Sequence, residues 1–176
     1  MSDTPRLTTQ RLVLRPFTQD DAPAVQRLAS AKEIADGTLS IPHPYPDGAA
    51  AAWIAGHAES DALQWAIVRR SDDELLGTIA LRPEREHLRA EVGYWIGVSY
   101  WNQGYATDAV RAVLRHGLEG LALNRIYAHH FTRNPASGRV MQRAGMRHEG
   151  TLREHTLKDG EFLDSAVYAM LRDDLR

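Results

Sequence analysis

Two short stretches of this 176-residue chain carry residue types suited to holding an anion. The first runs Tyr100-Trp101-Asn102-Gln103-Gly104-Tyr105-Ala106-Thr107, directly after the largely apolar run Glu91 to Val98. From Tyr105 onward, Ala106, Ala109, Val110, Val113 and Leu114 recur at helical spacing, so the loop feeds a helix N-terminus. The first turn of a helix presents N–H groups with no partner inside the helix, and the dipole adds partial positive charge there. Gly104 admits a close backbone approach and Ala106 keeps the next turn small, which makes a pyrophosphate cradle that needs no lysine. A glycine before a helix also serves plain turn geometry, so this stretch alone leaves both readings open. The second stretch is Asn134-Pro135-Ala136-Ser137, a helix cap followed by proline at the first helical position. Each stretch follows a strand, and both helix starts would face the sheet end where open α/β sheets place ligands.

The elements that must position them are legible by period and punctuation. Arg11 to Arg15 alternates as a strand closed by Pro16, and Thr18 is expected to cap a helix over Gln19 to Ser30. Leu39 to Pro46 holds Pro42, Pro44 and Pro46 and is irregular; its His43 and Tyr45 either pack on the surface or line an acceptor pocket. Asp47 is expected to cap a second helix reaching His57. Leu63 to Val68 and Leu75 to Leu81 read as a hairpin, and Ala90 to Val98 as a further strand after a charged link. Tyr105 to Leu118 is a helix ended by Gly117 and Gly120, Arg125 to Phe131 a strand, and Pro135 to Ala144 a helix stopped by Gly145. Met146 to Leu157 and Glu161 to Leu171 are long strands joined at Lys158-Asp159-Gly160. The expectation is one α/β (α+β) domain over residues 1–176, with no repeat or linker to divide it.

Composition narrows the partners. Lys and Arg number 21 against 23 Asp and Glu, a formal charge of −2, which gives no global pull toward nucleic acid or an anionic membrane. Cys is absent, which removes disulfides, thiolate metal sites and a Cys acyl intermediate, and suits a reducing cytoplasm. Met1 to Gln10 lacks an apolar h-region, and no run approaches the ~18 apolar residues of a spanning helix. None of the eight His residues falls in a metal-ligand spacing, and His129 and His130 would point to opposite faces of a strand, so no metal is expected. Gly97-Val98-Ser99-Tyr100-Trp101 lacks the last glycine of a nucleophile elbow. Arg139 and Arg143, one helical turn apart, form either a terminal-phosphate contact or a solvated basic face.

Several ordered motifs together resemble the GNAT superfamily of N-acetyltransferases, and within it the ribosomal-protein N-terminal acetyltransferases of the RimJ/RimL type. Thr8 to Arg15 resembles that branch's opening strand, Gly93-Tyr94-Trp95-Ile96 its fourth, and Tyr100 to Thr107 its acetyl-CoA loop. Asn134 to Ser137, with Arg143-Ala144-Gly145-Met146, resembles its following helix. The resemblance implies a mixed, mostly antiparallel seven-stranded sheet flanked by about four helices and splayed between the fourth and fifth strands. It implies acetyl-CoA as donor, with the backbone of Gln103, Gly104, Tyr105, Ala106 and Thr107 on the pyrophosphate. Trp95, Ile96 and Gly97, continued by Val98, would pair with the pantetheine arm. Asn134 would bond the pantetheine or hold its loop, and Ser137 would sit near the thioester sulfur. Trp101 stands where the superfamily often has Gln or Arg, and Asn102 where this branch usually has Gly; neither change removes a backbone donor.

Acetyl transfer to an amine needs a neutral nitrogen, a donor for the oxyanion and relief of charge on the leaving thiolate. Glu91 shares a strand face with Gly93 and Trp95 and is the candidate base, directly or through water; an ordinary strand carboxylate is the alternative. The backbone N–H near Ile96 is the candidate oxyanion donor, and Ser137 the group that bonds the thiolate or relays a proton. With no Cys and no elbow, direct transfer in a ternary complex is expected. The branch points to a protein N-terminal α-amine as acceptor, with a small amine as the alternative and a non-catalytic acyl-CoA-binding module as the third reading. The same habit points to a possible homodimer.

Overall fold

The computed structural model describes residues 4–175, so the extreme ends of the expected 1–176 domain lie outside the described residues. Eight strands join one sheet in the order β1-β2-β3-β4-β5-β6-β8-β7. They are β1 (Leu7–Thr8), β2 (Leu12–Arg15), β3 (Leu63–Arg69), β4 (Leu75–Glu84), β5 (Arg89–Ile96), β6 (Arg125–Phe131), β7 (Arg147–Lys158) and β8 (Glu161–Leu171). Five α-helices accompany them: α1 (Ala22–Ala29), α2 (Lys32–Gly37), α3 (Ala49–Ala55), α4 (Tyr105–Arg115) and α5 (Pro135–Arg143). The extra strand arises because Leu7 and Thr8 pair with Leu14 and Val13, a contact too short to have a period.

Alternation along β3 divides the core in two. Leu63, Trp65 and Ile67 turn to the cluster that holds Ala109, Val110, Val113 and Leu114 of α4, all at most 2% exposed. Ala66 and Val68 turn the other way, onto Val25 and Leu28 of α1 and Ala50 and Ile54 of α3. Three fully buried aliphatic side chains on α4 alone contribute roughly 5 to 9 kcal/mol of apolar burial before entropy is charged. The sheet is thus a middle layer whose two faces see different helices.

The pairing of β5 decides where a ligand can enter. β5 runs antiparallel to β4 from Glu84↔Arg89 to Gly77↔Ile96 without interruption. On its other side it pairs in parallel with β6 only at Arg89, Ala90 and Glu91, after which the strands diverge. The splay is where the sequence resemblance puts it. A Cβ on Gly77 would stand 2.2 Å from the Trp95 carbonyl oxygen, so the β4–β5 approach at the open end depends on that residue having no side chain.

Four local expectations need correction. Thr18 leads into a 3-10 turn over Gln19–Asp21 that precedes α1, because Asp21 reaches back to the Thr18 N–H at 2.9 Å. Asp47 does not cap α3; Gly48, at φ 75°, occupies the N-cap, and the α-helix stops at Ala55 before a 3-10 turn. β4 continues past Leu81 through Pro83 to Glu84. Proline is tolerated there because β3 ends at the Leu63↔Leu81 pair, so no neighbour asks for its missing N–H. The six-residue α2 falls where no element was expected; it has no side-chain cap and buries only Ile34 and Ala35.

Candidate active site

The loop after β5 is shaped by side chains anchoring it from outside. Trp101 donates its indole N–H to the Ile96 carbonyl at 2.6 Å, and Gln103 Nε2 donates to the Ser99 carbonyl at 3.2 Å. Asn102 (φ 60°) and Gly104 (φ 82°) take left-handed conformations that turn the chain into α4. Asp108 N–H is bonded to the Gly104 carbonyl at 3.1 Å, so the N–H groups of Tyr105, Ala106 and Thr107 form the open first turn. Arg11, from the β1–β2 turn, donates through Nη1 to the Gln103 carbonyl at 2.9 Å and through Nε to Asp108 at 2.8 Å. It also lies over the Tyr105 ring at 4.9 Å. Arg11 therefore draws a carbonyl outward and neutralises the one acidic side chain in the first turn of α4.

A cleft opens at this helix start. Trp95, Ile96, Gly104, Tyr105, Ala106, Thr107, Asn134 and Ser137 line it, together with Arg139 and Arg143. Gly97, Val98 and Gln103, also expected at the donor, do not themselves line it. The Gly97 N–H is spent on the Leu76 carbonyl at 2.8 Å and Val98 turns to solvent, while Gln103 gives its side chain to Ser99 and its carbonyl to Arg11. The Gly97 bond also fixes the parity of β5: odd residues bond β4, while Val92, Tyr94 and Ile96 turn their backbone groups toward the splay. Trp95 and Gly97 therefore hold β4, and the unpaired edge belongs to Tyr94 and the Ile96 N–H, the Ile96 carbonyl being taken by Trp101.

Asn134 does not cap α5 through its side chain. Its carbonyl accepts the Ser137 N–H at 3.2 Å, and its amide lies against Gly37, 3.0 Å from where a Cβ would stand. Ser137 meets a residue to which the sequence reading assigned no role. The Tyr94 hydroxyl is 3.0 Å from Ser137 Oγ and 3.1 Å from its carbonyl. Burial pushes the Tyr94 phenol up to about 12, with the Ser137 bond offsetting part of it, so it stays protonated at neutral pH. Alternation from Glu91, Gly93 and Trp95 is the signal that would have found Tyr94, since it places that ring on the α4–α5 face.

A second, larger basin lies on the face covered by α1 and α3. Glu91, Gly93 and Trp95 line it with Arg82, Tyr45, Trp53, His129 and His155; His43 does not. Glu91 is flanked by Arg82, whose guanidinium stands 4.0 Å away. His129 stacks on His155 at 5.9 Å, and burial lowers its pKa against the pull of Glu91, keeping the ring neutral. His130 also lines the basin, its ring set against Gly138 and Tyr168. Among the described residues no His, Asp or Glu cluster is arranged to hold a metal ion, and no helix is long and apolar enough to cross a membrane. The cleft and the basin share Gly37, Thr38, Tyr94, Trp95 and Ser137, so they meet at a throat.

A sheet opened between β5 and β6, with a helix N-terminus beside the opening, is the arrangement that the resemblance to the GNAT acetyltransferases implies. Residues 11–147 match the model of the acetyltransferase (GNAT) domain, and the chain belongs to that family. It is an N-acetyltransferase that takes acetyl-CoA as donor. The uncharacterized N-acetyltransferase YoaA of Bacillus subtilis (strain 168) is 33% identical over 174 residues, 96% of this chain and 97% of its own. The ribosomal-protein-serine acetyltransferase of Escherichia coli (strain K12) is 32% identical over 103 residues, 58% of each chain. The solved RimL ribosomal L7/L12 alpha-N-protein acetyltransferase, in complex with coenzyme A, has a TM-score of 0.86 at 20% identity, over 97% of this chain and 99% of its own; that likeness is one of fold.

Proposed function

We propose that this chain transfers the acetyl group directly to an α-amine in a ternary complex, the acceptor being a polypeptide N-terminus of the ribosomal-protein kind. The observation that carries it is the throat, where Tyr94, Trp95 and Ser137 line the donor cleft and the acceptor basin at once. The N–H groups of Gly104 to Thr107 would hold the pyrophosphate, and the free edge of Tyr94 and Ile96 the pantetheine arm. Asn134, its amide left uncommitted by the cap, would donate to that arm. An Ile96 N–H facing the splay suits the oxyanion.

On the acceptor side Glu91 takes the proton from the incoming ammonium, directly or through water. An α-amine titrates near ~7.7 to 8.0 and asks little of that base. On the donor side the thiolate leaves against Ser137, whose hydroxyl is bonded to the protonated Tyr94; the pair can deliver a proton that serine alone holds too tightly. The polypeptide acceptor is supported by the named activity of the Escherichia coli relative and by a basin broad enough for an extended chain.

The test is free-thiol release from acetyl-CoA with N-terminal peptides, lysine peptides, polyamines and aminoglycosides. Release driven by α-amine peptides and not by lysine peptides supports the reading. Release driven only by polyamines or aminoglycosides overturns the acceptor, and acetyl-CoA binding with no release for any amine overturns turnover itself.

A further inference from the structure

Of the side chains lining the acceptor basin, Arg82 is the one Lys or Arg among the described residues. Its side chain is 55% exposed, and its guanidinium stands 4.0 Å from Glu91 and makes no hydrogen bond to any described group. It lies across Gly93, where a Cβ would stand 3.0 Å from Nη1. A larger residue at 93 would push the cation aside, and Gly93 directly precedes the two throat residues Tyr94 and Trp95. The basin thus holds a cation with unused donors beside an acid, lying over the residue that precedes the throat.

We propose that Arg82 anchors a carboxylate that the acceptor carries close to its reacting amine. This rests on the transferase reading above but not on the acceptor being a polypeptide. A carboxylate next to an ammonium is the charge mirror of Glu91 next to Arg82, so each end of the acceptor meets its opposite. The lengths agree. Gly93 to Trp95 is two strand residues, about 7 Å. An amine nitrogen and its α-carboxyl carbon lie about 2.5 Å apart and the carboxyl oxygen about 1.2 Å further by standard bond lengths, and a charge-assisted hydrogen bond adds about 2.8 Å, about 6.5 Å when extended. A side-chain carboxylate one bond further out spans the same gap, whereas one several residues down a peptide overshoots it. The shared chemistry is an amine with a carboxylate two or three bonds away, supplied by a free amino acid or by an N-terminal Asp. Ile41, Tyr45 and Trp53 give the basin an apolar wall for the remainder of such a molecule.

The experiment compares matched acceptors: leucine with leucinamide, and an Asp-initiated peptide with its Asn-initiated counterpart. Thiol release gives kcat and KM for each, on the native protein, on Arg82→Gln and on Gly93→Ala, with acetyl-CoA binding measured on every variant to establish that it is folded. In one pair the carboxylate member is preferred by on the order of 10- to 100-fold, mostly in KM, as for a hydrogen bond to a charged group. The responding pair identifies the source. In Arg82→Gln the preference collapses toward unity, and in Gly93→Ala it shrinks. Equal use of both members within twofold overturns the proposal, as does a preference that survives Arg82→Gln. If other amines release thiol but no member of either pair does, the anchor falls and the transferase reading stands; if no amine releases thiol, both fall.

Discussion

Removing Arg11 tests the cradle from behind, since Arg11 supports it without itself lining the donor cleft. Arg11→Ala leaves the Asp108 carboxylate uncompensated in the first turn of α4, where Arg11 Nη2 now stands 2.6 Å from it. One helix turn plus a hydrogen bond puts that carboxylate about 8 Å from a bound phosphate. At that distance each pair of unit charges repels by about 0.5 kcal/mol in bulk water and about 2 kcal/mol at an effective dielectric of 20. Arg11 is 43% exposed and Asp108 27%, so solvent screening favours the low end. Summed over two phosphate charges, the expected loss is about 1.4 kcal/mol, tenfold in the Kd for acetyl-CoA. Calorimetric titration at 50 and 500 mM salt, about 14 and 4 Å of Debye length, reads it directly. The tenfold loss should appear at low salt and shrink at high salt, and the Arg11→Ala/Asp108→Asn double variant should bind within twofold of the native protein. A double variant as weak as the single refutes the electrostatic argument and leaves the lost contact to the Gln103 carbonyl as the cause.

Tyr94→Phe should lower kcat by about 10- to 100-fold while leaving the KM for acetyl-CoA within threefold, checked by steady-state thiol release. Glu91→Gln should lower kcat/KM for an amine by about 100-fold, with the loss shrinking toward alkaline pH where the acceptor deprotonates unaided, as a pH–rate profile would record. Gly77→Ala drives a methyl into the Trp95 carbonyl and should cost about 3 kcal/mol or prevent folding, read by chemical denaturation. Asp21 supplies a pH signature of stability. Its burial alone would raise its pKa, but the hydrogen bonds from Arg15 and the Thr18 N–H outweigh it and hold the carboxyl below its ordinary value. A depressed folded pKa means the stabilisation is present above the unfolded value near ~3.9 and is lost as pH falls through the lower folded one. Thermal melts of Asp21→Asn should show a protein less stable by about 2 kcal/mol at pH 7 whose melting temperature falls less steeply below pH 4.

The strands were legible where alternation ran for several residues, as in β3 and β5, and the donor helix because Ala109, Val110, Val113 and Leu114 keep one period. The fold was less legible where stability comes from partners far along the chain. Leu7 and Thr8 are a strand only because Leu14 and Val13 fold back on them. Residues Lys32–Gly37 form a helix held by burying Ile34 and Ala35, with no cap to announce it. At the site, Gly104, Asn134 and Ser137 stood out because turn and cap chemistry is local. Arg11 was invisible as a site residue because its partners lie 92 and 97 positions away. Tyr94 was hidden by the convention of following one strand face, and Arg82 by a proline that makes a continuing strand look like a link.

The throat also bears on how the protein could be blocked. With donor and acceptor placed as proposed, they enter from separate clefts that share Gly37, Thr38, Tyr94, Trp95 and Ser137, so one molecule can occupy both at once. A conjugate joining the sulfur of coenzyme A to the nitrogen of the acceptor through a short acetyl bridge would present the second half at a local concentration in the millimolar range once the first is seated. Its affinity would then exceed that of either half by 10²- to 10⁴-fold with no new contact. A compound filling one cleft alone forgoes that avidity, so inhibitors of this chain gain most from the length of the bridge.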